Sequence, residues 1–147
     1  LLATTNPELN DPQDNREHDT SVVAYLLFNP ALGMADAKDS EVDFLQHIRP
    51  DFPPAIVFFG SEDEKWLKGW NAAYEKMQSL DNHSVEFWVA EDQEHSFFNK
   101  QPWQDMTIRA SDEFLKDLGF IQGEPTLPPP KTQEKLVKNR RNLCIQD

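Results

Sequence analysis

Residues 90–100, AEDQEHSFFNK, contain one histidine, His95, preceded by three acids and followed by Phe97 and Phe98. An imidazole is the side chain best suited to taking and returning a proton near neutral pH. It does so well only when a carboxylate holds its other ring nitrogen, fixing the tautomer and stabilising the imidazolium. A candidate carboxylate, Asp63, lies upstream in the segment Gly60-Ser61-Glu62-Asp63. Two other readings stand beside this one. Glu91, Asp92, Glu94 and His95 are types that ligate metals, but acidic loop clusters are usually solvated and no second histidine sits at ligand spacing. His95 could equally be a solvated loop residue, and Asp63 the N-cap of the helical pattern starting at Glu64.

The flanking elements decide whether Asp63 and His95 can meet. Residues 21–30, SVVAYLLFNP, form a short continuous apolar run ended by Asn29-Pro30, and AIVFFG, residues 55–60, is a second. Runs of this kind fit strands buried on both faces of a parallel sheet. SVEFWVAE, residues 84–91, reads as a third strand. Between the second and third, Trp66, Trp70, Tyr74, Met77 and Leu80 recur at helical spacing. That stripe reads as helix-to-sheet packing rather than a carbohydrate platform. Another helix follows Pro102, with Trp103, Met106, Ala110, Phe114 and Leu118 on one line and Gly119 at its C-cap. Ser40 and Asp43 resemble a capping box before a short helix that RPDFPP interrupts. Strand and helix alternate, which predicts βαβ units and a mostly parallel sheet covered by helices. Ligands bind such sheets at the carboxyl ends of the strands. Asp63 follows one such end and His95 the next, and neighbouring strands lie about 4.8 Å apart.

The chain has 147 residues and a net charge of −12. Residues 131–147 carry five cations against two anions, so residues 1–130 hold −15. An acidic body of that size argues against nucleic acid or an anionic membrane as partner. The basic end reads as a solvated tail. Cys144 is the only cysteine, which excludes a disulfide within the chain or a cysteine metal site. No stretch is apolar for the roughly 18 residues of a membrane span. The compartment stays open between cytoplasmic and secreted.

Taken together, FPPAIVFFGSEDEKW, EHSFFNK and DEFLKDLGFIQGEPTL resemble the carboxy-terminal part of α/β-hydrolase esterases. The similarity is to the bacterial lipase/esterase and acetyl-xylan-esterase-like branch, related to the prolyl-oligopeptidase and dienelactone hydrolase group. It spans roughly residues 20 to 127. It implies an α/β fold, the carboxy-terminal portion of a three-layer sandwich. In that family the G-[ST]-x-D acid corresponds to Asp63, and the histidine of G-H-G-F-F to His95. Here Glu94 and Ser96 replace the glycines flanking that histidine, and Glu94 sets a negative charge beside it. The resemblance implies a serine carboxylic-ester hydrolase without cofactor or metal, acting on a small ester or an acylated carbohydrate such as acetylated or feruloylated polysaccharide.

The family's nucleophile, a serine on G-x-S-x-G, and its H-G-G loop are absent from the sequence. Of the five glycines only Gly119 and Gly123 have the spacing, and Ile121 lies between them. Ser21, Ser61 and Ser96 are the serines nearest the site, and none sits on a nucleophile turn. Both missing motifs precede the acid in the family, so the sequence is expected to start just after the nucleophile elbow, with LLATT ending the following helix. Residues 1–127 are then a partial hydrolase domain and 128–147 an extended basic tail with at most a marginal helix. Such a fragment is expected to be inactive alone and to self-associate through an incomplete sheet. The competing reading is a non-catalytic interaction domain derived from the hydrolase fold. Glu62 is a weaker candidate acid, and His18, His47 and His83 read as bland.

Overall fold

The computed structural model describes residues 1–13, 17, 21–32 and 39–139. His18, Gly33, Arg140, Arg141, Cys144 and Asp147 lie outside them. The centre is a four-stranded sheet: β1 (Tyr25–Phe28), β2 (Ala55–Gly60), β3 (Val85–Ala90) and β4 (Leu136–Asn139), in that spatial order. β1, β2 and β3 run parallel and β4 is antiparallel to β3.

β2 is buried along its whole length, as its unbroken apolar run requires. Side chains alternate across a strand. Ala55, Val57 and Phe59 therefore join one core cluster, while Ile56 and Phe58 join the other. Helix α2 (Glu64–Ser79) covers the first face, with Leu67, Trp70, Ala73 and Met77 buried at steps of three and four. Trp70 packs on Phe59 and Phe87. Of the predicted stripe, Trp66, Tyr74 and Leu80 are half-buried at its margin.

Helix α3 (Trp103–Asp117) covers the second face through Trp103, Ala110 and Phe114. The buried hydroxyls of Thr107 and Ser111 donate back to the carbonyls of Trp103 and Thr107, so neither is left unpaired. The helix ends where Gly119 takes φ +78, with Phe120 N–H bonding the Leu115 carbonyl and Gly119 N–H the Lys116 carbonyl. That Schellman closure needs the left-handed conformation glycine adopts freely. Leu118 is exposed rather than buried at the end of its predicted line.

Two elements differ from the sequence-based expectation. The helix expected after Ser40 is a 3-10 turn, Phe44–His47, and its cap is Asp43, whose carboxylate accepts from Leu45 N–H. Pro50 follows too closely for an α-helix to become established there. Among the described residues the β1–β2 connection therefore contains no α-helix. Residues 136–139, expected in an extended tail, form β4. Leu136 enters the second core cluster and Lys138 pairs with Glu86 across the strands at 2.6 Å. Four residues, two apolar then two polar, carry no strand period and are too short to read as a strand unless the open edge of β3 is known to lie beside them. Leu2–Thr5 is a single helical turn, α1, whose Thr4 hydroxyl meets the Tyr25 hydroxyl at 2.5 Å.

Because β4 covers the outer edge of β3, truncation after Thr132 should leave that edge open. Hydrogen exchange should then show amides of Val85–Ala90 exchanging about tenfold faster or more, while those of Ala55–Gly60 change least.

Candidate active site

β2 and β3 end together, with Gly60 opposite Ala90, and β1 ends two residues earlier on the same side, with Phe28 opposite Phe58. The three segments that leave these ends supply Asn29, Asp63 and His95. Asp63 caps α2 through its main chain alone: its carbonyl accepts from Leu67 N–H, and its side chain makes no cap bond. The carboxylate turns toward the neighbouring strand ends instead. Its Oδ2 accepts from His95 Nδ1 at 2.8 Å and from Asn29 Nδ2 at 2.6 Å.

An ionised carboxylate can only accept, so Nδ1 of His95 carries the hydrogen and, in the neutral ring, Nε2 holds the lone pair. The carboxylate side chain is 6% exposed and the imidazole 48%. The pair is thus buried at its acid end and open at its base end. Nε2 has no hydrogen-bond partner among the described residues. Trp66 stands beside the ring, centroids 6.5 Å apart.

The two loops are tied to one another. Glu62 N–H bonds the Gln93 carbonyl at 2.9 Å, and Asp92 N–H bonds the Ser61 hydroxyl at 2.9 Å. The histidine loop passes so close over Gly60 that a Cβ there would lie 2.1 Å from the Gln93 carbonyl oxygen. Asn29, Asp92 and Ser96 adopt positive φ of 45°, 55° and 65°. Three of the four non-glycine residues with positive φ among those described therefore surround this site. Ser96 follows His95 directly, where the esterase pattern has a glycine, and its left-handed backbone is the conformation glycine would adopt without strain. Beyond it Phe97 is buried against Trp103, and Phe98 packs on Phe28. These aromatics pin the far end of the loop to the second core.

Asp63 and His95, predicted as partners, are brought together. Glu62 is exposed, and its side chain accepts from Ser61 at 3.3 Å rather than meeting His95. His47 bonds the Ser40 carbonyl, and His83 lies against Gln78, both away from the pair. Ser21 precedes β1, at the opposite end of that strand from Asn29. Ser61 holds Asp92, and Ser96 is part of the loop backbone turn. Among the described residues no group of three or more His, Cys, Asp or Glu is arranged to hold a metal ion, and no helix is long and apolar enough to cross a membrane.

Asn29 was not anticipated as a site residue. Its signal was its place: a polar residue closing a buried-strand pattern, in the same position on β1 that the Asp63 loop takes on β2. It is almost fully buried and its Oδ1 has no partner. A buried unpaired acceptor of this kind costs about 1–3 kcal/mol.

A mostly parallel sheet with helices on both faces is the α/β-hydrolase architecture as esterases carry it, present here in part. The solved structures that share it include esterase 2 of the planctomycete Thermogutta terrifontis. Its propionate-bound form is 25% identical with a TM-score of 0.71, covering 84% of this chain and 53% of that one. The form phosphorylated by paraoxon is 26% identical with a TM-score of 0.74, covering 84% and 51%. The apo form is 25% identical with a TM-score of 0.72, covering 84% and 53%. The chain thus spans about half the length of the structures it matches. No protein-family model and no curated protein matches it.

Gly60→Ala should drive the Gln93 peptide away and separate the two loops. A loss of about 3 kcal/mol or more is expected, because the clash is with backbone rather than a movable side chain. Urea denaturation should show the midpoint falling accordingly.

Proposed function

We propose that this chain supplies the acid and base of a serine-type carboxylic-ester hydrolase. The observation that carries the proposal is the 2.8 Å bond between His95 Nδ1 and a buried carboxylate, with the imidazole half open to solvent. Asp63 orients the ring and stabilises it when charged. Nε2 removes the proton from a serine hydroxyl, whose oxygen attacks the ester carbonyl carbon. The same proton then passes to the leaving alkoxide as the tetrahedral intermediate collapses to an acyl-enzyme. Water, deprotonated by His95 in turn, adds to the acyl carbon, and the proton passes to the serine oxygen as the carboxylic acid leaves. This chemistry needs no cofactor.

The serine and the oxyanion donors come from outside these 147 residues, since the sequence holds no G-x-S-x-G. The substrate is a small ester or an acylated carbohydrate, and the propionate-bound form of the Thermogutta terrifontis esterase supports a short acyl group on it. The open edge of β1 is the surface through which copies of the chain would associate. It lies at the end of the sheet among the described residues, with Val23 65% and Leu26 39% exposed beside it.

The purified chain should not hydrolyse p-nitrophenyl butyrate above the rate of an Asp63→Ala/His95→Ala variant. Turnover that needs both residues would place the nucleophile inside the chain. When the coding sequence upstream of Leu1 is read, an in-frame G-x-S-x-G is expected. The joined protein should hydrolyse the ester, and His95→Ala should lower kcat by about 10⁴- to 10⁶-fold. A start codon immediately before Leu1, with no such motif, would favour a non-catalytic interaction domain instead.

Sedimentation of the chain alone should show self-association, weakened by Leu26→Lys on the open edge. A monodisperse monomer in both cases would argue against the β1 contact.

A further inference from the structure

We propose that Asn29 is the positioning residue of the acid–base pair, its side-chain amide holding the Asp63 carboxylate in the rotation that presents Oδ2 to His95. The inference rests on the reading of Asp63 and His95 as acid and base, and extends it to the end of a third strand.

The orientation of the amide is settled by its neighbour. Oδ2 of Asp63 accepts, so the group 2.6 Å away must be the donating Nδ2. Turning the amide over would bring two oxygens together. The arrangement therefore requires Oδ1 to point elsewhere, and there it has no partner. A residue kept at this buried position only to fill space would be apolar and would leave no acceptor unpaired. The backbone also departs from the easy choice: φ is +45°, a conformation that asparagine tolerates better than most residues. The main-chain N–H of Asn29 bonds the Phe58 carbonyl at 2.9 Å, so the side chain is carried in register with β2, the strand that leads to Asp63.

Asp63 has few other restraints on its rotation. Its side chain takes no part in capping α2. Of its two recorded partners, His95 is half exposed and Asn29 is almost wholly buried. A donor fixed in the interior and a donor at the surface share one oxygen. The interior one sets where that oxygen lies, and the imidazole follows it. Three successive parallel strands thus contribute an amide, a carboxylate and an imidazole in a row.

The test is proton NMR of the 147-residue chain labelled with ¹⁵N-histidine, following the downfield Nδ1–H resonance of His95 and its exchange with solvent. Two variants remove the neutral amide donor while tolerating positive φ: Asn29→Gly and Asn29→Asp. Folding is monitored through the amide resonances of Ala55–Gly60, and Asp63→Ala serves as control. The resonance should be present in the parent chain and absent in Asp63→Ala. It should exchange at least about tenfold faster in Asn29→Gly and be lost in Asn29→Asp, where a second carboxylate faces the first. A support of the sheet alone would change the amides and leave this proton at its original shift and rate. Retention of the parental resonance and rate in either folded variant overturns the role of Asn29. So does failure of both to fold while Asp63→Ala folds. A missing resonance in the parent chain, or one that survives Asp63→Ala, overturns the acid–base reading itself.

Discussion

Gly60 and Ala90 face one another on the last rung of the parallel ladder between β2 and β3. That rung controls the rest of the site. Parallel strands end on the same side, so the loops leaving them begin about 4.8 Å apart. Here they also cross, with the Gln93 peptide lying over the α-carbon of Gly60 where no side chain fits. The hydrogen bonds from Glu62 N–H and Asp92 N–H, which join the loops, depend on that approach. The acid and the imidazole are therefore held by main chain before their side chains meet.

The hydrophobic cores serve this rung from both faces. Phe59 and Phe87 lie against Trp70 of α2, just below the strand ends. On the other face Phe97 packs on Trp103 and Phe98 on Phe28, which anchors the chain immediately after His95. The two phenylalanines beside the histidine, conspicuous in the sequence, are thus packing residues of the loop that carries it. Backbone strain gathers in the same place, at Asn29, Asp92 and Ser96, while the interiors of β2 and α2 are regular. Local strain persists where surrounding contacts over-determine the conformation, as at many functional sites.

The Asp63 carboxylate could have served the helix behind it, since aspartate is a favoured N-cap. It occupies the cap position and leaves the capping bond unmade, bonding His95 and Asn29 instead. The residue thus stands at the cap of α2 while its carboxylate serves the neighbouring strand ends. The likeness to Thermogutta terrifontis esterase 2 covers 84% of the chain at about a quarter identity, so the architecture persists through extensive side-chain change. Gly60, whose close approach leaves no room for a side chain, and Asp63, buried beneath the imidazole, lie where such change is least tolerable.

The sequence by itself determined the parallel core and the two helices that cover it. Continuous apolar runs admit burial on both faces, and apolar steps of three and four demand a helix. It also located Asp63 and His95 after the ends of successive strands along the chain, because the succession of strands and the loops that follow them are legible in one dimension. Tertiary structure alone decided the rest. The reach of Asn29 to Asp63 spans 34 positions and depends on β1 lying beside β2. The four residues of β4 became a strand because β3 offered an open edge. The segment after Ser40 stopped at a 3-10 turn, where Pro50 and packing beneath Phe44 overruled its capping signal. Periodicity records which face of an element is buried. Which polar atoms meet across elements depends on register and loop path, and those are settled only when the strands pair.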